Sequence, residues 1–302
     1  MKKVIVILGQ TATGKSDLAV KAAKKISGEV ISADSRQVYK GLDIGTGKIT
    51  KKEMGGIPHH LLDVANPKHK FTVVDYQKQT ISAIAKIIKK GKTPIICGGT
   101  GFYIDAVTKG IIFPEVPPNL KLRKILEKKS ETELLKILKK LDPKRAKNID
   151  SRNKVRLVRA IEIAKALGKV PNLAVKPPSY KFIKIGLYLP ADLLKKKIEK
   201  RLLARMKTGM LKEAKKLHQK GLAYKRMEEL GLEYRYMALY LQNKITQQEM
   251  LEKLKSEIYK YAKRQMTWFK RDKEIKWFDA SPNDHSVGRA SKKINYGTIK
   301  GL

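Results

Sequence analysis

Eight residues near the start of the chain, Gly9-Gln10-Thr11-Ala12-Thr13-Gly14-Lys15-Ser16, fit the pattern G-x-x-x-x-G-K-[ST]. Glycines at the first and sixth positions let the backbone wrap a phosphate group, while the loop N–H groups and the following helix N-terminus point at its oxygens. Lys15 adds positive charge, and the hydroxyl of Ser16 can hold Mg²⁺. Gly9, Gln10, Thr11, Ala12, Thr13, Gly14, Lys15 and Ser16 are therefore the candidate diphosphate or nucleotide site, with Ser16 as its metal ligand. The loop alone leaves kinases, ATPases, GTPases and rarer transferases open. No strand ending in Asp is followed by the guanine-reading or water-activating patterns of a GTPase.

Further groups capable of chemistry follow. Ser32-Ala33-Asp34-Ser35-Arg36-Gln37-Val38-Tyr39 is one cluster, Asp43-Ile44-Gly45-Thr46-Gly47-Lys48 another, and His59-His60-Leu61-Leu62-Asp63 a third. Gly98-Gly99-Thr100-Gly101-Phe102-Tyr103 closes a later apolar run. Taken singly, Asp34 suits a helix N-cap and Thr100 a turn residue. His59 and His60 could ligate a metal, but no matching Cys or His cluster accompanies them, so they read as structural. Trp268 reads as a packing residue.

The elements that must position these groups are legible as patterns. Val4–Leu8 is a buried strand, followed by a helix over about Lys15–Ile26 with Leu18, Ala19, Ala22, Ala23 and Ile26 on one face. Val30–Ser32 and Thr93–Cys97 are further strands, with a helix over about Val74–Lys90 between them. This alternation predicts an α/β fold with a parallel sheet flanked by helices. Pro114, Pro117 and Pro118 mark a boundary, beyond which Asn119–Gly168 carries only helical periodicity. Leu134, Leu135, Leu138 and Leu141 form one stripe there, and Val155, Val158, Ile161 and Leu167 another. Pro171, Pro177 and Pro178 precede a strand over Phe182–Leu189. Helices resume from Leu193, with Gly221 a stop and Thr246 with Glu249 a capping-box start for a long helix to about Lys270. Glu274–Asp279 could be a last strand. The expected organisation is a first core segment over 1–116, an all-helical insertion over 117–178, a second core segment over 179–280, and a mobile tail over 281–302.

With 302 residues the chain can bury a core without staples, and its single cysteine, Cys97, excludes an internal disulfide framework. No stretch approaches the roughly 18 apolar residues of a membrane span, so a cytoplasmic protein is expected. The 67 Lys+Arg against 28 Asp+Glu give a net charge of +39. Such a field attracts polyanions, nucleic acid above all, although lysines at regular helical spacing, as in Leu193–Lys200, can also coat solvated faces.

The four clusters in this order behind a P-loop resemble the tRNA dimethylallyltransferase (tRNA isopentenyltransferase) family. Ile198–Met206 with Gly209 looks like its Arg-x-x-x-Met segment, and Arg264-Gln265-Met266-Thr267-Trp268-Phe269 is similar to its Arg-Gln-x-Thr-Trp motif. The likeness covers about Val4–Asp279. It implies a P-loop NTPase-like sheet with a tRNA-gripping helical insertion, and transfer of a dimethylallyl group from dimethylallyl diphosphate to the exocyclic amine of the adenosine just 3′ of the anticodon. The loop would then hold that diphosphate, with Mg²⁺, and Arg201 would be a second cation on it. The resemblance further implies Asp34 as general base and Thr100 at the reaction centre. Asp34, Ser35, Arg36, Gln37 and Thr100 would meet the target nucleotide. Arg123 and the run Val155, Arg156, Leu157, Val158 and Arg159 would touch tRNA, as would Glu228–Glu233. Two positions depart from the family pattern: Gln10 replaces a common proline, and Gly231-Leu232-Glu233-Tyr234-Arg235 puts an acid in an implied RNA contact. A monomer is expected. An isopentenyltransferase acting on free adenine nucleotide, or a P-loop small-molecule kinase, shares the loop but has no need of a basic helical insertion.

Overall fold

The structure, a computed structural model, describes residues 1–281. Apart from Ser281, the tail expected to be mobile lies outside the described residues. The chain forms two compact units, one from Met1–Lys109 together with the chain from Pro178 onward, the other from Gly110–Pro177.

The first unit begins β1 (Lys2–Gly9), α1 (Lys15–Lys25), β2 (Gly28–Ala33), α2 (Lys51–Met54), β3 (His59–His60), α3 (Val73–Lys89), β4 (Thr93–Gly98) and α4 (Gly101–Thr108). The second contains β5 (Ile111–Ile112), α5 (Leu120–Leu126), α6 (Glu131–Leu141), α7 (Pro143–Asn148), α8 (Lys154–Leu167) and β6 (Ala174–Val175). The first then resumes with β7 (Tyr180–Tyr188), α9 (Ala191–Lys207), α10 (Met210–Gln219), α11 (Tyr224–Leu230), α12 (Leu232–Leu241), α13 (Gln247–Phe269) and β8 (Lys276–Asp279).

Six strands form one sheet in the order β3-β2-β4-β1-β7-β8, and every neighbouring pair is parallel. The apolar runs behave as the period of two requires. Val4, Val6 and Leu8 of β1 enter one core with residues of α3 and α4, while Ile5 and Ile7 enter another with residues of α1. Each such buried side chain contributes about 1.5–3 kcal/mol. A third core joins α9–α13 to Val38, Tyr39 and Leu42, tying the chain just beyond Asp34 to the C-terminal helices. The expected capping box of α13 is present: Glu249 accepts from Thr246 N at 2.7 Å, and Thr246 Oγ1 accepts from Glu249 N at 3.2 Å.

The second unit corrects two expectations. Its chain is not all helical, because Ile111–Ile112 pairs antiparallel with Ala174–Val175. The apolar stripe of α8 is also rotated. Leu157, Val158, Ala160, Ile161 and Ala164 pack with Leu134 and Leu138, whereas Val155 is 79% exposed and Leu167 51% exposed. Residues 155 and 167 lie on the first and last turns, where the helix turns them away from that core.

Candidate active site

The P-loop runs from the end of β1 into α1 through backbone that side chains disfavour. Gly9 has φ +136°, and a Cβ there would lie 2.1 Å from the Leu187 carbonyl oxygen, so β7 leaves room only for glycine. Gly14 has φ +85°, but a Cβ there would meet nothing within 4 Å. Its glycine serves the turn. Ser16 lies exposed beside it, with no side-chain hydrogen bond among the described residues. Lys15 folds back so that Nζ donates to the Gln10 carbonyl. The protein wrapped around this ammonium strips it of water and pushes its pKa down to about 8; Arg201 adds to that shift, while Asp34 opposes it. Gln10, where the family commonly has proline, is 6% exposed. Its Nε2 donates to Ala262 O at 3.5 Å and its Oε1 accepts from Leu189 N at 3.4 Å, so the loop is tied to α13 and to the chain after β7.

Asp34 follows the last residue of β2, and Thr100 follows β4, the adjacent strand. Asp34 Oδ1 accepts from Arg36 N at 2.8 Å and Gln37 N at 3.3 Å, which makes it the cap of the 35–38 turn. Oδ2 makes no hydrogen bond among the described residues. Capping and proton acceptance therefore do not compete, since each uses a different oxygen. Thr100 Oγ1 accepts from Ser35 N at 3.0 Å, so one hydroxyl fixes the spacing between the two loops. Gln37 Nε2 donates to Gly47 O at 3.4 Å, and Arg201, exposed on α9, donates from Nη2 to the same oxygen at 2.9 Å. Gly47 O thus joins Arg201 to the turn that Asp34 caps, and the P-loop, Asp34 and Thr100 lie at the C-terminal ends of β1, β2 and β4, the edge where open α/β sheets bind ligands.

Two residues of the site went unassigned in the sequence reading. Gln265, 6% exposed on α13, accepts from Thr11 N at 2.8 Å and donates to Gly99 O at 2.9 Å, clamping the P-loop to the loop that carries Thr100. Tyr261, one turn earlier on the same helix, has its phenol pKa pushed up by burial, and the charge of Asp34 adds to the effect. With Trp268 they stand at i, i+4 and i+7, one helix face. That periodicity was the available signal. Trp268 itself packs on Gly101, where a Cβ would lie 2.3 Å from the ring, and donates from Nε1 to Asp105 Oδ2 at 3.2 Å.

The histidines stand elsewhere. His60 Nε2 bonds Glu29 Oε2 at 2.7 Å, at the N-terminal end of β2, and His59 Nδ1 bonds Ile57 O at 2.8 Å. Glu233, the unexpected acid, accepts from Arg205 Nη1 at 2.9 Å and is an internal ion-pair partner. In the same segment Glu228 accepts from Gln242 at 3.2 Å.

Within the second unit, Arg123 forms a two-pronged pair with Glu162, Nε to Oε1 at 2.7 Å and Nη2 to Oε2 at 2.6 Å. Arg159 adds a contact to the same carboxylate at 3.1 Å and donates to Val116 O at 2.9 Å. The Glu162 side chain is 1% exposed, so these arginines neutralise a buried charge. Leu157 and Val158 are core residues whose side chains are closed to any partner. Of the run 155–159, Val155 and Arg156 are exposed, Arg156 lying 3.7 Å from Asp150.

A family model described as IPP transferase matches residues 37–272. Among similar proteins is tRNA dimethylallyltransferase 1 of Syntrophus aciditrophicus, 42% identical over 288 residues that cover 92% of this chain and 94% of the relative. Among solved structures, the full-length tRNA isopentenylpyrophosphate transferase of Bacillus halodurans superposes with a TM-score of 0.73 at 34% identity, over all of both chains. A eukaryotic dimethylallyltransferase acting on tRNA gives a TM-score of 0.85 at 26% identity, covering 100% of this chain and 80% of that one.

Proposed function

The chain belongs to the IPP transferase family and is a prenyltransferase that transfers a dimethylallyl group to tRNA, and on that premise we propose how its own residues carry the reaction. The donor is dimethylallyl diphosphate, and the acceptor is the exocyclic amine of the adenosine 3′-adjacent to the anticodon. The observation that carries this reading is the convergence of Lys15, Asp34 and Thr100 on the ends of neighbouring strands, with Arg201 beside them.

The P-loop N–H groups, Lys15 and Arg201 bind the diphosphate and take up the charge that develops on it as the allylic C–O bond breaks. The amine nitrogen forms the new bond to that carbon, and its proton passes to Asp34 Oδ2, the oxygen not engaged in capping. Ser35 N–H holds the Thr100 hydroxyl at the reaction centre, and the 35–37 turn meets the target base. A base reacting at its amine has to leave its stack, which an anticodon loop permits at low cost. The exposed Ser16 hydroxyl at the first turn of α1 suits a hard cation, so Ser16 would hold Mg²⁺, which would supply further neutralisation of the leaving group's charge. The helical unit grips tRNA phosphates through its surface cations, Arg156 foremost. The enzyme works as a monomer in the cytoplasm.

The test pairs an acceptor screen with one substitution. Incubation with dimethylallyl diphosphate, Mg²⁺ and unmodified tRNA, AMP or ATP should add the dimethylallyl mass to tRNA alone; addition to AMP would favour a free-nucleotide transferase. Asp34→Asn keeps the cap on Arg36 N and Gln37 N but cannot take a proton. Its single-turnover rate should fall by about 10² or more at unchanged melting temperature. A rate within about threefold of wild type removes Asp34 from the chemistry.

A further inference from the structure

The segment Asp43–Lys48 carries no group that reacts, yet it is held from both sides. On one side the Glu213 carboxylate, in the first turn of α10, accepts three consecutive backbone donors: Asp43 N at 3.0 Å, Ile44 N at 2.7 Å and Gly45 N at 2.9 Å. A fourth donor, Tyr234 Oη on α12, reaches it at 2.6 Å. Successive N–H groups of this kind form a concavity suited to an anion. Here the anion is internal, and the negative charge of Glu213 fills it.

On the other side the same segment offers its carbonyls to two arginines one turn apart on α9. Gly45 O accepts from Arg205 Nη1 at 2.6 Å and Gly47 O from Arg201 Nη2 at 2.9 Å. The contacts are close enough to dictate composition. A Cβ on Gly45 would lie 2.7 Å from the ring of the buried Tyr234, and Gly47 has φ +59°, where a side chain is strained. Two like charges four residues apart on a helix repel; a carbonyl under each and Glu233 beside Arg205 offset that repulsion. Gln37 of the turn after Asp34 donates to Gly47 O as well.

We propose that Glu213 is a positioning residue for the transfer: by closing the 43–45 N–H groups around its carboxylate it fixes the Gly47 carbonyl, and that carbonyl aims the Arg201 guanidinium at the diphosphate. This rests on the reading of Arg201 as a diphosphate cation. A glutamine at 213 keeps one acceptor but turns an NH₂ toward backbone donors, so one side of the clamp opens.

The experiment measures affinity for inorganic diphosphate with Mg²⁺ by calorimetry, together with a thermal melt, in Glu213→Gln, Arg201→Ala and the double variant. Glu213→Gln should weaken diphosphate binding about tenfold, ~1.4 kcal/mol. In the Arg201→Ala background the same change should add nothing, since a loss carried through Arg201 disappears with it. A purely structural role predicts the opposite, equal losses in both backgrounds, and that result overturns the proposal, as does Glu213→Gln at wild-type affinity. Should Glu213→Gln fail to fold, Tyr234→Phe removes a single donor and is expected to give a two- to threefold loss, again abolished by Arg201→Ala; additivity there is equally fatal. Arg201→Ala at wild-type affinity overturns the underlying reading of Arg201 and the role of Glu213 with it.

Discussion

Gln265 is the residue on which the site's geometry should depend most, although it touches no substrate in the proposed mechanism. Gln265→Met keeps length and apolar bulk but leaves Thr11 N–H and Gly99 O without their partner. Gly99 is buried and Thr11 partly so. A buried polar group left unpaired costs about 1–3 kcal/mol, and with Thr11 taken at the lower end the sum is about 2–4 kcal/mol. At roughly 2–4 °C per kcal/mol for a chain of this size, the melting temperature should fall by about 5–15 °C. The loss of rate should exceed what unfolding explains, because the two freed loops carry the diphosphate and Thr100, and a misplacement of about 1 Å can cost 10²-fold. Single-turnover prenylation of unmodified tRNA, run about 20 °C or more below the variant's melt, separates the two effects. Thr267→Ala serves as the control: its hydroxyl donates to Lys263 O at 3.1 Å on the exposed side of the same helix, and it should behave as wild type. A Gln265→Met protein that melts within about 1 °C of wild type and turns over within about threefold refutes the clamp.

Because the folded protein holds Lys15 at about 8 against 10.5 when free, diphosphate binding above pH 8 must return a proton to it; relative to Lys15→Arg, which stays charged, wild-type affinity for inorganic diphosphate should fall by up to about tenfold per pH unit through this window, with proton uptake seen by calorimetry in buffers of different ionisation heat. In the same window the unfolded chain binds the extra proton, so the ligand-free protein should gain stability from this group as pH rises, and a falling trend specific to Lys15 would contradict the assignment. Arg156→Ala should lower the log–log salt slope of tRNA binding by about 0.7–0.9 at unchanged stability, whereas Arg123→Ala should destabilise the helical unit by leaving Glu162 a buried, underpaired charge; equal melts for the two variants would erase that distinction.

The contrast between the buried pairing of Arg123 and the exposed Arg156 shows where a linear reading stops. In the sequence both are arginines on basic helices, and only the three-dimensional pairing with a carboxylate 39 residues away separates them. The same holds inside the site. Strands, P-loop, helix starts and the order of the clusters were legible because each depends on residues close in sequence: an alternating apolar run, a glycine where φ is positive, a Thr three residues before a Glu. Asp34 and Thr100 were legible only as members of a pattern, and the structure supplies the reason they occur together, a hydroxyl bonded to the N–H next to the acid. The clamps were hidden because their partners lie far apart in the chain: Gln265 reaches back 254 residues to Thr11, and Glu213 reaches back 168 residues to Gly45. Both use backbone groups as partners, and backbone groups leave no residue type to read. Glu233 shows the converse, an acid that departs from the family pattern in sequence and pairs with Arg205 in the fold. Local chemistry is thus written in the order of residues, while the placement of Arg201 and of the loop that carries Thr100 is written in contacts that span 150 or more residues.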